Sequence, residues 1–413
     1  MKKSSKLKRS QRVDRNANAQ NVLSVLRRQG PVSQAEIVRA TSLSRATINN
    51  IVQTLRDKGT VEYQWKNGRE ALVSLACTRG SVIAVRVGES AISASLFDFT
   101  KKVRLDIRNA ELPEFRQRRS SPALTVEIIR HLIDVGRSRD ATAIGFAIAI
   151  EAPIEKSTGA IAPWAWQRLP HWKGVDLQRY FGKIIHLPFI VDNDANLAAL
   201  AEWSWGEGRG CDDFLHITCS EGVGGGIVLN GRIYRGGSGL AGEIGHMVVA
   251  EEGDLCFCGS RGCLSSFATE RAILRALRNS EKPRRSLDQV VDSAREGDAA
   301  CQRVLSEAGR YLGKALATVV RVFGPSVIAI GGTLARAGDI VLEGMRSSAE
   351  IVNLRAIGES PKFCVGSIID GPQLGGVAAL MTYLDLGLSG ADSWMYAEQI
   401  SNSVRSPPPT DLR

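Results

Sequence analysis

SQAEIVRATSLSRATINNIVQTLRDK, residues 33–58, reads as two short helices joined by a tight turn. Ser33 with Glu36 three positions on has the spacing of a capping box, so a helix opens there and runs to about Ala40. Thr41-Ser42-Leu43 makes the turn. Ser44 opens the second helix, whose Ile48, Ile51, Val52 and Leu55 recur at i, i+3, i+4 and i+7. Upstream, Asn21–Arg28 carries Val22, Leu23, Val25 and Leu26 on one helical face, and Gly30-Pro31 stops it. Downstream, two strand-like runs, Val61–Trp65 and Ala71–Leu75, flank Asn67-Gly68, a strong hairpin signal. Helix, helix, turn, helix, hairpin is the order of a winged helix-turn-helix. The apolar stripe of the second helix must face the small core. That leaves Ser44, Arg45, Thr47, Asn49 and Asn50 for other faces. Arg and Asn can pair bidentately with guanine and adenine edges in the major groove. Lys66 and Arg69 at the hairpin are placed for phosphate or the minor groove. The alternative is a small three-helix interaction domain with solvated polar residues.

Charge sharpens this reading. Residues 1–70 hold 15 Lys and Arg against 5 Asp and Glu, and the rest of the 413-residue chain balances to zero. Excess positive charge gathered at one end is the footprint of a polyanion-binding module on a neutral body. Residues 1–15 are basic, with almost nothing to bury, and are expected to be a disordered tail. No apolar segment follows them, so they do not read as a secretory signal. No apolar run approaches the roughly 18–20 residues of a membrane span. Cysteine usage fits a reducing, cytoplasmic setting. Cys256, Cys258 and Cys263 cluster, whereas Cys77, Cys211, Cys219, Cys301 and Cys364 are scattered and read as ordinary half-buried residues.

The expected domains are residues 16–76, the DNA-binding module, and 77–387, an alternating α/β body. A Pro-bearing tail, 388–413, is expected to be disordered. In the body, Ile83–Val87 and Ala91–Phe97 read as paired strands, Leu124–Val135 as a helix and Ala143–Ile150 as a buried strand. Ile184–Val191 reads as a strand leading into a helix at Ala195–Trp203. Further strands are expected at Phe214–Thr218, Gly226–Leu229 and Val327–Ile330. Helices are expected near 271–278, 298–323 and 375–386. A strand pair near the start of each half suggests duplicated lobes around a cleft.

Four motifs stand out in the body. His246 is followed by Cys256-Phe-Cys258-Gly-Ser-Arg-Gly-Cys263. Three thiolates and an imidazole satisfy tetrahedral zinc, with Gly259 and Gly262 letting the chain fold back. Glu243-Ile-Gly-His246 overlaps it, Asn193-Asp194 follows an apolar run, and Gly222-Val-Gly224-Gly225-Gly226 lies between strands. With these motifs, the stretch from 83 to about 387 resembles the ROK family, which groups repressors and sugar kinases on a two-lobed actin-like ATPase (ribonuclease H-like) fold. With the winged helix, the whole chain looks like the repressor branch. The resemblance implies a structural Zn2+ held by His246, Cys256, Cys258 and Cys263. It implies sugar contacts from Asn193, Asp194, Glu243 and His246, with one His246 nitrogen on the metal and the other free to donate. Asp194 matches the kinase base, and its neighbourhood reads as a helix cap too. Gly222, Gly224 and Gly225 resemble a phosphate loop and read equally as a tight hairpin.

The departures bear on activity. Where family kinases have an Asp-x-Gly-Gly-Thr type loop, this chain has Arg86-Val87-Gly88-Glu89-Ser90. Arg86 replaces an acidic residue, and Glu89 replaces a glycine and sets a negative charge where ATP phosphates would sit. Leu264-Ser265 follows Cys263 where the family has Leu-Glu, and Glu151-Ala152-Pro153 replaces a Gly-Pro type turn. Trp164, Trp166 and Trp172 either stack on a sugar or pack a lobe. The resemblance therefore implies a transcriptional regulator, usually a repressor, of carbohydrate-utilisation genes. It would pair operator DNA with a sugar or sugar-phosphate effector and act as a homodimer or homotetramer. The alternatives are an ATP-dependent sugar kinase with an added DNA-binding domain, and a protein-controlled regulator with a dead pocket.

Overall fold

Ser33 caps its helix as the spacing predicts. Its hydroxyl accepts from the Glu36 backbone N–H at 3.3 Å, and Glu36 Oε2 accepts from the Ser33 backbone N–H at 2.7 Å. This is a computed structural model. It describes residues 18–386 apart from 20, 27–28, 58, 67–69, 76–79, 90, 109–118, 281–282, 352–359 and 385. Both expected tails, the Asn67-Gly68 turn, Arg69, Cys77 and Ser90 lie outside the described residues.

The N-terminal unit comprises α1 (21–26), α2 (Gln34–Thr41), α3 (Arg45–Asp57) and a hairpin of β1 (Val61–Lys66) and β2 (Glu70–Leu75). Ser42 makes the turn between α2 and α3 in the left-handed region, φ 56°. Ile48, Val52 and Leu55 of α3 are buried with Leu23, Leu26, Ile37 and Val73 in one small core. Val32 pairs with Val73 through two backbone hydrogen bonds, 3.1 and 2.8 Å, stitching the start of α2 to the wing.

The body is a duplication. Its first sheet runs in the order β5-β4-β3-β6-β7 and its second in the order β10-β9-β8-β11-β12. In the first, β3 (Ser81–Val87), β4 (Ile92–Asp98) and β5 (Val103–Arg108) are antiparallel neighbours, and β6 (Ala143–Ile150) and β7 (Phe189–Asn193) add in parallel. In the second, β8 (Phe214–Cys219), β9 (Val223–Leu229) and β10 (Arg232–Ile233) repeat the meander. There β11 (Val327–Gly331) and β12 (Lys362–Val365) repeat the parallel additions. Helix α4 (Pro122–Arg137) packs on β3 and β4 in the first lobe. The second lobe gathers α7 (Ser265–Ala268), α8 (Glu270–Ala276), α9 (Leu287–Arg295), α10 (Ala299–Phe323) and α11 (Asp339–Ile351). The helix expected near 375 starts earlier, as α12 (Gly371–Tyr383), because Pro372 suits a first helical turn.

Two expectations need correction. Residue 184 does not begin a strand. Asp176 caps α5 (Leu177–Ile184), its carboxylate accepting from the Arg179 N–H at 3.0 Å, and the strand starts only at Phe189. The apolar residues at the end of α5 run on into those of β7, so the sequence pattern alone does not part them. The glycine run is mostly strand: β8 and β9 form a hairpin turning at Ser220–Gly222, so Gly224, Gly225 and Gly226 belong to β9. A Cβ on Gly226 would strike Ala195 O and Ala199 Cβ of α6 (Asp194–Trp205). Gly224 and Gly226 therefore let α6 lie directly on β9.

Candidate functional site

Strand β7 and helix α6 meet at the cleft. Asn193 caps α6, its Oδ1 accepting from the N–H groups of Ala195 at 3.0 Å and Asn196 at 3.2 Å. Asp194 is thereby fixed in the first turn, and both residues line a cavity of about 330 Å3. Behind them, Asp192 accepts from the Asn193 N–H at 2.8 Å and from Arg235 Nε at 2.9 Å, tying this corner to the loop that leads to Glu243. Glu243, His246, Gly222, Gly224 and Gly225 line the same cavity. The sugar-contact set named from the sequence thus converges. Burial, reinforced by Glu151 and opposed by Arg86, pushes the Asp194 carboxyl up to about 7. Burial and the Asp194 charge push Glu243 up to about 7 as well. Such carboxyls suit the recognition of hydroxyl groups.

His246, Cys256, Cys258 and Cys263 place one ligand atom each within 4.8 Å of one another. Cys256 Sγ lies 3.5 Å from His246 Nδ1, and Cys258 Sγ lies 3.6 Å from Cys263 Sγ. A tetrahedral zinc with Zn–S bonds of about 2.3 Å sets its sulfurs about 3.8 Å apart, so the donor set fits. Nδ1 faces the thiols, which leaves Nε2 toward the cleft, 4.0 Å from Glu243 Oε2. Gly259 and Gly262 have φ of 94° and 66°, the left-handed turns that bring Cys263 back. Ser265, where the family pattern has Glu, donates its hydroxyl to Gly245 O at 2.8 Å and braces the Glu243–His246 turn.

The end of the cleft that carries Arg86 and Glu89 is built from ion pairs. Glu89 is not a lone negative charge: it accepts from Arg168 Nε at 2.9 Å. Arg86 pairs with Glu151, and Arg168 Nη2 reaches the same carboxylate at 3.7 Å. A charge-paired lattice of two guanidiniums and two carboxylates therefore lines this end of the cleft. The sequence gives no sign of Arg168, because only the fold brings residues 89, 151 and 168 together.

The three tryptophans divide. Trp164 lines the cleft, its ring 4.8 Å from His246 and 5.9 Å from Phe257. Trp172 is fully buried in the first lobe, donating to Ser120 Oγ at 3.3 Å. Trp166 donates to Ile161 O at 3.3 Å with Lys173 over its ring. Phe257, between Cys256 and Cys258, carries no sequence signal of its own for the site.

In the N-terminal unit, Arg45, Asn49 and Asn50 of α3 are exposed, whereas Ile48 and Val52 of the same helix are buried. Ser44 Oγ accepts from the Thr47 N–H at 3.1 Å, and the two hydroxyls lie 2.8 Å apart, so this pair caps the helix as well as facing outward. Lys66 is exposed at the end of β1, beside Trp65, which is 67% exposed and was not anticipated.

A family model described as ROK family matches residues 82–383. Another, a domain of unknown function (DUF7343), matches residues 16–76. The chain is 26% identical to the xylose repressor of Bacillus subtilis (strain 168), over 85% of this chain and 91% of that one. It is 28% identical to the DNA-binding transcriptional dual regulator NagC of Escherichia coli (strain K12), over 82% and 86%. A solved ROK family transcriptional regulator, described as a homologue of the E. coli MLC protein, superposes with a TM-score of 0.73. It is 24% identical, with 90% of this chain and 96% of that chain covered.

Proposed function

The chain belongs to the ROK family, and from that premise we propose that it is a transcriptional repressor of sugar-utilisation genes. Its winged helix-turn-helix, residues 16–76, binds operator DNA, and its two-lobed body, 77–387, binds a sugar or sugar phosphate. One observation carries this reading. The cleft keeps the hydroxyl-recognising set Asn193, Asp194, Glu243 and His246, while the ion pairs Arg86–Glu151 and Arg168–Glu89 line the end where kinases of the family hold phosphates. A site so built binds sugar without presenting it to ATP. Zn2+ on His246, Cys256, Cys258 and Cys263 is structural: it fixes the His246 ring beside Glu243. The sugar switches DNA affinity only through its differential affinity for two lobe arrangements. A homodimer or homotetramer would match two-fold half-sites. No described helix is long and apolar enough to cross a membrane, and a cytoplasmic setting follows from the DNA target.

The retained Asp194 favours a second reading, a sugar kinase with an added DNA-binding domain. Thermal shift and ADP release, measured with D-xylose, D-glucose and N-acetylglucosamine, separate the two. The expected result is stabilisation by at least one sugar without ADP release. Asp194→Asn should weaken that sugar about 10- to 150-fold, the range of a hydrogen bond to a charged group. ADP release abolished by Asp194→Asn would instead establish the kinase, and stabilisation by none of the sugars would favour a dead pocket.

A further inference from the structure

Glu202 is a buried carboxylate that sugar recognition does not use. It sits in the last turn of α6, the helix that begins at Asp194, and is 1% exposed. Its Oε1 accepts from the Ile368 backbone N–H at 2.7 Å. Its Oε2 accepts from the Glu207 backbone N–H at 2.9 Å and the Ser367 hydroxyl at 3.5 Å. A Cβ on Gly206 or on Gly366 would collide with this carboxylate, so the chain is shaped around it on both sides. Burial raises its carboxyl above the ordinary range, and the Ile368 and Glu207 N–H groups act against that.

The two segments it holds are not ordinary loops. The chain passes from the first sheet to the second between α6 and β8, and returns between β12 and α12. Glu207 lies on the outward crossing; Gly366, Ser367 and Ile368 lie on the return. The helices are exchanged: α6 packs on β8 and β9 of the second sheet, α12 on β3 and β6 of the first, and the two pack on each other. Lys362 Nζ adds a tie to Glu207, at 2.8 Å, between the return strand and the outward crossing.

We propose that Glu202 is the hinge clamp of the body, a positioning residue that fastens both lobe-to-lobe crossings to α6 so that occupancy at Asp194 is transmitted as one rotation of the lobes. The transmission rests on the sugar reading above; the clamping does not. Breaking the clamp should leave each lobe folded and the cleft residues in place, because the donors it releases lie outside both sheets.

The test is Glu202→Gln in the full chain. The amide turns an NH2 toward one of the two N–H donors, and this donor–donor clash pushes the side chain off both crossings. Hydrogen exchange is expected to accelerate at least tenfold at Glu207 and Ile368 together, with the amides of Leu197–Ala199 unchanged. Gly366→Ala, which displaces the carboxylate without removing it, should reproduce this if Glu202→Gln folds poorly. With whichever of D-xylose, D-glucose and N-acetylglucosamine stabilises the protein, sugar affinity and sugar-free DNA affinity should stay within about twofold. The sugar-induced change in DNA affinity should shrink at least fivefold. Faster exchange at only one crossing, or at neither, overturns the clamp. A parallel loss of sugar binding, DNA binding and response overturns the transmission and leaves a merely structural residue. If no sugar acts on the wild type, the sugar reading fails while the exchange result still decides the clamp.

Discussion

Stripping the metal, or replacing Cys258 by Ser, is expected to lower the melting temperature by about 6–12 °C and to abolish stabilisation by sugar. Apart from local backbone bonds such as Val249 N–H to Gly262 O, 2.9 Å, and the Arg275–Asp254 ion pair, the segment 246–263 has little regular structure to hold it. Its regular pairing among the described residues is two isolated bridges, Val248 with Cys263 and Leu255 with Arg261. Leu255 and Val248 are exposed, and apolar anchoring comes from Met247 and Val249, half-buried against the second-lobe core at one end of the segment. What closes the segment is the convergence of three sulfurs and Nδ1. Structural zinc supplies apparent free energies of about 10–16 kcal/mol in small modules. Here the second lobe retains its own core, so a loss of about 3 kcal/mol is the reasonable scale, which is about 6–12 °C for a domain of this size. The functional loss follows from His246. Without a metal on Nδ1 the ring is free to rotate, and Phe257 and Trp164, which pack against it, lose their template. Elemental analysis with thermal unfolding checks this. A metal-free Cys258→Ser protein with unchanged melting and sugar response would refute the structural role.

On the DNA side, Arg45→Ala and Asn49→Ala are each expected to weaken specific binding by about 1–3 kcal/mol, roughly 5- to 150-fold. Both are exposed, while Ile48, Val52 and Leu55 hold α3 on the core, so neither change should unfold the unit. Base discrimination should relax with them. Lys66→Ala should differ in kind: removing an ammonium from the phosphate backbone lowers affinity for all sequences and reduces the salt slope by about one. Fluorescence anisotropy against specific and scrambled duplexes at several salt concentrations separates these behaviours. Weakening confined to Lys66, with Arg45 and Asn49 silent, would mean that α3 does not enter the groove.

Local signals made much of this legible. Ser33 and Glu36 announce a helix start because the cap spans only three residues. The cysteine spacing announces a donor cluster fit for a metal because three of its four members sit in one short loop. What stayed hidden depends on distant partners. Arg168 acquires meaning only beside Glu89 and Glu151, and Glu202 only beside Ile368. Gly224 and Gly226 resemble a phosphate loop in sequence because the helix that presses on them, α6, comes from before β8, too far along the chain to be read from the glycines themselves. Asp176, the cap that opens α5, is overshadowed in the sequence by the apolar run that follows it.

The most direct measurement is the affinity of the full chain for the genomic duplex it selects, with and without the sugar that stabilises it. The account predicts tight, salt-dependent binding that the sugar shifts at least tenfold, and no such shift in Asp194→Asn. Equal affinity in both conditions, or equal affinity in a chain lacking residues 1–76, would contradict it.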